Sequence, residues 1–453
     1  MSYKDYLRSL VVGVNKTVAL QSGKYVTAIN FDNAATTPPF HSVIKQIVDY
    51  APWYSSIHRG KGYKSVLTTE LYEGARGIVK RFVKADSRAV VIFTKSTTES
   101  INILAYALAG DKQRQVILST EMEHLANDLP WREQFTLDYI GIDAYGRLSL
   151  ADLEAKLKFY KGKVRLVTVT GASNVTGYQN PIHDIARLAH RYNAEILVDG
   201  AQLVPHSAID MKAAASPEHI DYLVFSGHKM YAPFGTGVLI GPPEIFHEAN
   251  PVYKGGGAVG LVSHQSIKWD DIPAKYEAGT PNIMGVMALV AAIKTLMKAG
   301  LDQINQYESG LIHYAIEGLK KIPDITLYGY CKENDPRVSL ISLNMKGIYH
   351  DQLAEILSLE AGIAVRNGLF CAHPYVMKMM GCDDELIAYY QTYEDVQIPG
   401  LVRISFGLYN NVQEIDVLLA VLQHIARNKQ YYRDKYKQLA QNERCNFKRF
   451  LYC

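Results

Sequence analysis

Residues 221–237 read Asp221-Tyr222-Leu223-Val224-Phe225-Ser226-Gly227-His228-Lys229-Met230-Tyr231-Ala232-Pro233-Phe234-Gly235-Thr236-Gly237. Tyr222 to Phe225 is a short apolar run with the length of a buried strand. The chain then turns small and polar around one lysine. Pro233, Gly235 and Gly237 interrupt it again, and a second apolar run covers Val238 to Ile240. A lysine at the end of a buried strand is desolvated, which penalises the ammonium and lowers its pKa. A lowered pKa is what an amine needs to attack a carbonyl and form a Schiff base. Lysine is otherwise a surface residue, so the reading of Lys229 depends on what lies around it.

One strand back, Ala194-Glu195-Ile196-Leu197-Val198-Asp199-Gly200-Ala201-Gln202 ends an apolar strand on a carboxylate. An isolated carboxylate there is costly unless it is paired. Val164 to Thr170 is a further apolar strand, followed by Gly171-Ala172-Ser173-Asn174. A side chain just beyond a strand's carboxyl end points into the crevice where α/β sheets bind ligands. Val90 to Thr94 is a continuous apolar strand of the kind covered on both faces. Lys95-Ser96-Thr97-Thr98-Glu99-Ser100 then opens a helix through Ile101, Leu104 and Leu108. Hydroxyls and free amides at a helix start serve as an ordinary cap or as an anion site. Val116 to Ser119 is another strand, and it leads to Glu121-Met122-Glu123-His124. Strands alternating with helices, such as the one expected from about 181 to 192, predict an α/β fold with a mostly parallel sheet flanked by helices.

The chain has 453 residues, 48% of them hydrophobic and 21% charged, with a net charge of +3. That is room for two domains of an ordinary globular protein. The small net charge makes no case for nucleic acid or acidic membrane as partner. No apolar run reaches the roughly 18 residues of a membrane span; the longest, Val286 to Met297, is broken by Lys294. The N-terminus carries Lys4, Asp5 and Arg8 and no signal-peptide pattern. The five cysteines, Cys331, Cys371, Cys382, Cys445 and Cys453, are odd in number and lack CxxC spacing. They argue against a disulfide framework or a cysteine zinc site and for a reducing, cytoplasmic location. No metal-ligand set is read from the sequence.

These segments have three companions. They are Phe31-Asp32-Asn33-Ala34-Ala35-Thr36-Thr37-Pro38-Pro39, Glu277-Ala278-Gly279-Thr280-Pro281-Asn282, and Arg366-Asn367-Gly368-Leu369-Phe370-Cys371-Ala372. Together they resemble, in family order from about Phe31 to Asn410, the class V aminotransferase superfamily of pyridoxal-phosphate enzymes. Within it they are most similar to group II cysteine desulfurases and selenocysteine lyases. The resemblance implies fold type I, a large domain with a mostly parallel sheet plus a smaller α+β C-terminal domain. It divides the chain into an arm packing with the small domain (1–29), a large cofactor-binding domain (30–298), a small domain (299–427) and a basic, Tyr-rich tail (428–453).

It further implies pyridoxal 5'-phosphate joined to Lys229, with Asp199 facing the ring nitrogen, Gln202 the ring hydroxyl and His124 stacked on the ring. Thr97, Thr98, Ser226 and His228 would hold the phosphate, and Thr280 would reach the phosphate of a neighbouring subunit in a homodimer. Asn174 would contact both cofactor and substrate. Asn33, Ala34, His58, Arg366 and Arg403 would surround a small amino-acid substrate. Arginine suits capture of its carboxylate. Cys371 would accept sulfur from L-cysteine, leaving L-alanine, and could pass it to an acceptor protein. The resemblance leaves open other class V chemistry without Cys371 (C–S or C–Se lysis, transamination, epimerisation) and a binding protein that kept the fold without catalysis.

Two departures stand out. Lys61-Gly62-Tyr63-Lys64 follows His58-Arg59-Gly60 where the family has a second histidine. Leu369-Phe370 precedes Cys371 where it typically has two histidines. An apolar flank raises a thiol pKa unless Arg366 or the cofactor phosphate intervenes, and a thiol must ionise to act as a nucleophile. Beyond the motifs, residues 269–276 read as extended, 283–298 as a helix, 338–344 as a strand, 349–359 as a helix and 401–410 as a strand. Helix is expected again from about 415, and the tail reads as a solvated helical extension.

Overall fold

The computed structural model describes residues 2–329, 335–393 and 396–442, with side chains described to 436 in the final helix. Its central sheet has seven strands: β1 (Val90–Thr94), β2 (Val116–Thr120), β3 (Thr136–Ile140), β4 (Val164–Thr170), β5 (Glu195–Asp199), β6 (Tyr222–Ser226) and β7 (Gly237–Gly241). Their order across the sheet is β1-β7-β6-β5-β4-β2-β3. Strand β7 is antiparallel to both neighbours, and every other pairing is parallel. Strands β1, β2, β4, β6 and β7 are buried at every residue. This is why they read as unbroken apolar runs rather than as alternation: helices cover both faces.

The helices that matter for the site are α1 (Tyr3–Ser9), α2 (His41–Tyr50), α3 (Tyr63–Phe82), α4 (Thr97–Leu108), α5 (Ile182–Arg191) and α6 (Ile283–Ala299). Ser96 caps α4, its Oγ accepting the Glu99 N–H at 3.3 Å. Helix α6 is apolar round most of its circumference and packs against α2 and α3. A helix that is hydrophobic on all sides is a core helix. Among the described residues no single helix is long and apolar enough to cross a membrane.

Helix α7 (Leu301–Leu319) leads to a second sheet of four antiparallel strands: β8 (Ile325–Tyr328), β9 (Leu340–Met345), β10 (Arg366–Gly368) and β11 (Leu401–Ser405), in the order β8-β9-β11-β10. Helices α8 (His350–Ala361) and α9 (Val412–Arg427) join α7 over it around a core of its own. The N-terminal segment touches both cores. Leu7 and Val11 lie in that of the large sheet, and Ile29 and Phe31 in that of the small one.

The structure corrects two expectations. Residues 269–276 are not extended throughout. A strand ends at Trp269, and Ala274–Tyr276 is a tight turn behind Pro273. The turn is held because Lys275 Nζ and Tyr276 OH both donate to the Phe246 carbonyl, each at 3.1 Å. The tail helix α10 (Lys429–Asn442) is not wholly solvated. Tyr432 and Tyr436, four residues apart and so on one face, are buried in the small-sheet core. Cys445 and Cys453 lie outside the described residues.

The loop after Phe31 joins the two sheets. Asn33 Nδ2 donates to the Ser405 carbonyl at 3.0 Å, and Ser405 Oγ accepts the Ala34 N–H at 2.9 Å. Thr37 N donates to the His228 carbonyl at 3.0 Å, and Thr37 Oγ1 accepts the Tyr231 N–H at 2.7 Å. One small-residue loop thus ties the end of β11 to the turn that carries Lys229.

Candidate active site

A cavity of about 280 Å³ lies at the carboxyl ends of β1, β2, β4, β5 and β6, under the edge of the second sheet. Its walls bring together Ala34, Thr97, Thr98, His124, Asn174, Asp199, Gln202, Ser226, His228, Lys229, Arg366, Cys371 and Arg403. Ser96, Thr170 and Phe370 also line it. Three residues expected from the motifs are not on its walls. Asn33 is buried beside it and bonded to Tyr409, whose OH donates to Asn33 Oδ1 at 2.7 Å. His58 is exposed and sits 3.0 Å from Glu73. Thr280 is exposed.

Lys229 ends a single turn, Gly227–Lys229, directly after β6. Burial lowers its pKa to about 8, although Asp199 pulls the other way. Asp199 is the last residue of β5 and is buried, and burial raises its carboxyl above the ordinary range. Its Oδ1 accepts the Ala201 N–H at 2.9 Å; among the described residues nothing donates to Oδ2. A carboxylate so placed calls for a cationic or N–H partner from the cavity.

Ser226 Oγ accepts the Thr97 N–H at 2.8 Å and shares a 2.7 Å hydrogen bond with Thr97 Oγ1. That contact brings the end of β6 against the first turn of α4. Gly237 permits it. In register with Thr94 on one side and Ser226 on the other, it would drive a Cβ to 2.6 Å from the Ser96 carbonyl carbon. The free amides and hydroxyls of a helix start make a seat for an anion.

Burial, with Lys229 nearby, lowers His228 to about 4; burial, then Lys229 and Arg403, does the same for His124. Both rings are neutral near pH 7. His124 Nδ1 accepts the Ala126 N–H at 3.0 Å, so the ring's proton is on Nε2. Gln202 is steered by its Nε2 donating to the Ala34 carbonyl at 2.7 Å.

The second sheet supplies the opposite wall. Arg403 of β11 is buried, and burial lowers its pKa to about 10, so it stays charged. It donates from Nη1 to the Asn174 carbonyl at 2.9 Å and from Nη2 to Asp32 at 3.3 Å. The Phe370 ring covers its face, 4.9 Å from the guanidinium carbon. Its Nε is buried with no hydrogen-bond partner. Arg366 lies 3.8 Å from the other Asp32 oxygen.

Phe370 and Cys371 both have positive φ, +50° and +53°. Two successive non-glycine residues in this region store strain, and such strain collects at functional sites. The surroundings hold it in place. Asn174 Nδ2 donates to the Phe370 carbonyl at 2.7 Å, and the Leu125 N–H donates to the Cys371 carbonyl at 2.7 Å. Cys371 is a free, exposed cysteine on the cavity wall, which it shares with Lys229 and Arg403.

The motifs did not single out Phe370, which lines the cavity, or Asp32 and Glu123, which bond to the lining residues Arg403 and Thr170. Asp32 and Phe370 stand inside quoted segments, next to the residues chosen. Glu123 is buried and accepts from Thr120 Oγ1 at 2.6 Å, Asn127 Nδ2 at 2.6 Å and Thr170 N at 2.8 Å. It too stands in a quoted segment, beside His124, and two of its partners are local; only the Thr170 N–H comes from a distant strand.

A mostly parallel sheet with a buried carboxylate and a desolvated lysine at adjacent strand ends defines the fold type I class of pyridoxal-phosphate enzymes. Within that class the chain belongs to the aminotransferase class-V family, whose model matches residues 29–418. It is 35% identical over 412 residues to a probable cysteine desulfurase of Halalkalibacterium halodurans, covering 89% of this chain and 94% of that one. It is 36% identical over 405 residues to a cysteine desulfurase of Salmonella dublin, covering 87% and 93%. Among solved structures it is similar to the apo cysteine desulfurase of Thermococcus onnurineus, with TM-score 0.79, 32% identity and coverage of 88% and 95%. It is also similar to an Escherichia coli cysteine desulfurase solved as the S-sulfonic acid, with TM-score 0.77, 27% identity and coverage of 94% and 99%.

Proposed function

We propose that the cavity holds pyridoxal 5'-phosphate and that the protein is a cysteine desulfurase, converting L-cysteine to L-alanine with a persulfide left on Cys371. The single observation that carries this is the convergence of Lys229, Asp199, Arg403 and Cys371 on one cavity. The residues suit the cofactor. Asp199 offers a buried carboxylate to a ring N–H, and Lys229 a desolvated amine to an aldehyde. Thr97, Thr98, Ser226 and His228 offer donors to a phosphate beside a helix start, and His124 and Gln202 line the space for a ring. When bound, pyridoxal phosphate supplies the carbonyl carbon and the electron-withdrawing ring that make an amino acid's α-proton acidic.

The rest falls to the chain. Arg403, with its unpartnered Nε, holds the substrate carboxylate, and Arg366 adds charge from the rim. Lys229 Nζ takes the α-proton, which an amine with a pKa near working pH does well. With the cofactor bound, Asp199 would keep its ring nitrogen protonated. The Cys371 thiolate bonds to the substrate sulfur as the substrate's C–S bond breaks. The electron pair left on Cβ takes up a proton, Lys229 Nζ returns the α-proton to Cα, and alanine departs. Cys371 is exposed, so its persulfide is within reach of an acceptor protein. Thr280, exposed and off the cavity wall, is read as reaching the second subunit of a homodimer. The five cysteines without pairing pattern support a cytoplasmic setting.

The test is direct. Purified protein should carry a visible pyridoxal absorbance band that Lys229→Ala alters, and should release alanine from L-cysteine. Cys371→Ser should retain the band and lose alanine formation. A colourless, inactive wild type would remove the enzyme reading. Undiminished alanine formation by Cys371→Ser would replace desulfuration with C–S lysis.

A further inference from the structure

At the amino ends of β5 and β6, the opposite ends of these strands from the active site, His190, His219 and Asp221 come together. His190 is in the last turn of α5, His219 is in the connection before β6, and Asp221 immediately precedes β6. His190 Nε2 is 2.9 Å from one Asp221 oxygen, and His219 Nε2 is 2.8 Å from the other. The two imidazoles stack, with centroids 4.1 Å apart and planes 18° apart. Each turns its other nitrogen to a backbone carbonyl: His190 Nδ1 to Pro217 at 2.9 Å, His219 Nδ1 to Ser216 at 2.6 Å.

A carbonyl oxygen only accepts, so each ring carries a proton on Nδ1. With that proton alone, each ring would aim its Nε2 lone pair at a carboxylate oxygen, an arrangement that needs positive charge between them. Two protons would provide it, at the cost of stacking two imidazolium rings face to face. One divalent ion provides the same charge and leaves both rings neutral. The donor pattern is that of a metal site: imidazole nitrogens inward, with the outer N–H groups fixed on carbonyls. Two imidazoles and a carboxylate suit zinc better than calcium or magnesium, which prefer oxygen. A tetrahedral zinc ion with bonds of about 2.0–2.1 Å holds its ligand atoms about 3.3 Å apart. The three ligand atoms here lie within 4.8 Å of one another, so side-chain torsions bring them into place. All three residues are only partly buried, which leaves a fourth position to water.

We propose that His190, His219 and Asp221 bind one zinc ion per chain. The ion would clip the end of α5 to the connection that enters β6. Asp221 is also fixed by the Ile196 N–H of β5 at 2.9 Å, so the clip ties together the rear ends of the two strands that carry Asp199 and Lys229.

The test is calorimetric titration of Zn²⁺ into the holoenzyme after alkylation of its thiols, which removes cysteine as a competing ligand. One ion per chain should bind. His190→Gln and His219→Gln should each weaken binding by more than about tenfold. Zinc should raise the melting temperature of the wild type and of neither variant. No uptake by the wild type, or equal uptake by wild type and both variants, overturns the proposal. If a variant melts early without metal, the X-ray absorption spectrum of the wild-type zinc complex decides. Two imidazoles at zinc uphold the site, and one or none overturns it.

Discussion

Replacing Arg403 with glutamine should strip the enzyme of its preference for a substrate that bears a carboxylate. The guanidinium is buried, remains charged, and has its face covered by Phe370 and one edge spent on Asn174 and Asp32. What it has left is Nε, buried and unpartnered, and the adjoining Nη2 proton. That pair matches the fork that grips a carboxylate. Two hydrogen bonds to a charged group contribute about 1.5–3 kcal/mol each. Their joint loss, about 3–6 kcal/mol, corresponds to roughly 10²–10⁴ in kcat/KM. The assay compares L-cysteine with 2-aminoethanethiol, which lacks the carboxylate, by kcat/KM for sulfur release. The wild type should favour cysteine by that factor. Arg403→Gln should lose it on cysteine and change little on the amine. An equal fall on both substrates would mean that Arg403 only braces the site, and an unchanged rate on cysteine would remove it from substrate binding.

Arg76→Met should destabilise the protein by about 3–5 kcal/mol, the cost of leaving a buried carboxylate unpaired. Its target, Glu277, also takes the Tyr72 hydroxyl and the Phe93 N–H, and Arg76 bonds both its oxygens at 2.7 and 2.9 Å. Denaturant unfolding should show Arg76→Met/Glu277→Gln recovering much of that loss; no recovery would deny the coupling. Burial pushes Glu123 up to about 8. Its proton is therefore kept in the folded state and lost in the unfolded one between about pH 4.3 and that value. Its contribution to stability is full below that window and falls as pH rises through it. Melting temperatures across the window should show Glu123→Gln flattening this decline, and identical slopes would count against a buried proton. Gly237→Ala should cost about 1–3 kcal/mol by forcing a Cβ against Ser96. It should also weaken retention of pyridoxal phosphate, read as faster loss of the visible band on dialysis; unaltered retention would free the α4 start of that role.

Wherever side chains follow directly from strand ends, residue order alone was enough. Asp199, Asn174, His228 and Lys229 each sit just past or at the end of an apolar run, and a parallel sheet places such ends along one crevice because all its strands point the same way. The small-residue break at Gly235 and Gly237 was visible in the sequence, but not that Gly237 lies against Ser96 at the start of α4. Local order could not supply what arrives from a distance. Asp32 meets Arg403 across 371 positions of chain, and Arg403 and Lys229 share a cavity wall with Cys371 although each comes from a different segment. The turn at Ala274–Tyr276 and the burial of Tyr432 and Tyr436 escape local pattern for the same reason: their partners, Phe246 and the small-sheet core, are not neighbours in sequence. Strand and helix identity is a matter of short-range pattern and so is written along the chain. Charge, burial and strain at the site depend on which distant segments the tertiary fold packs together, and only that packing decided them.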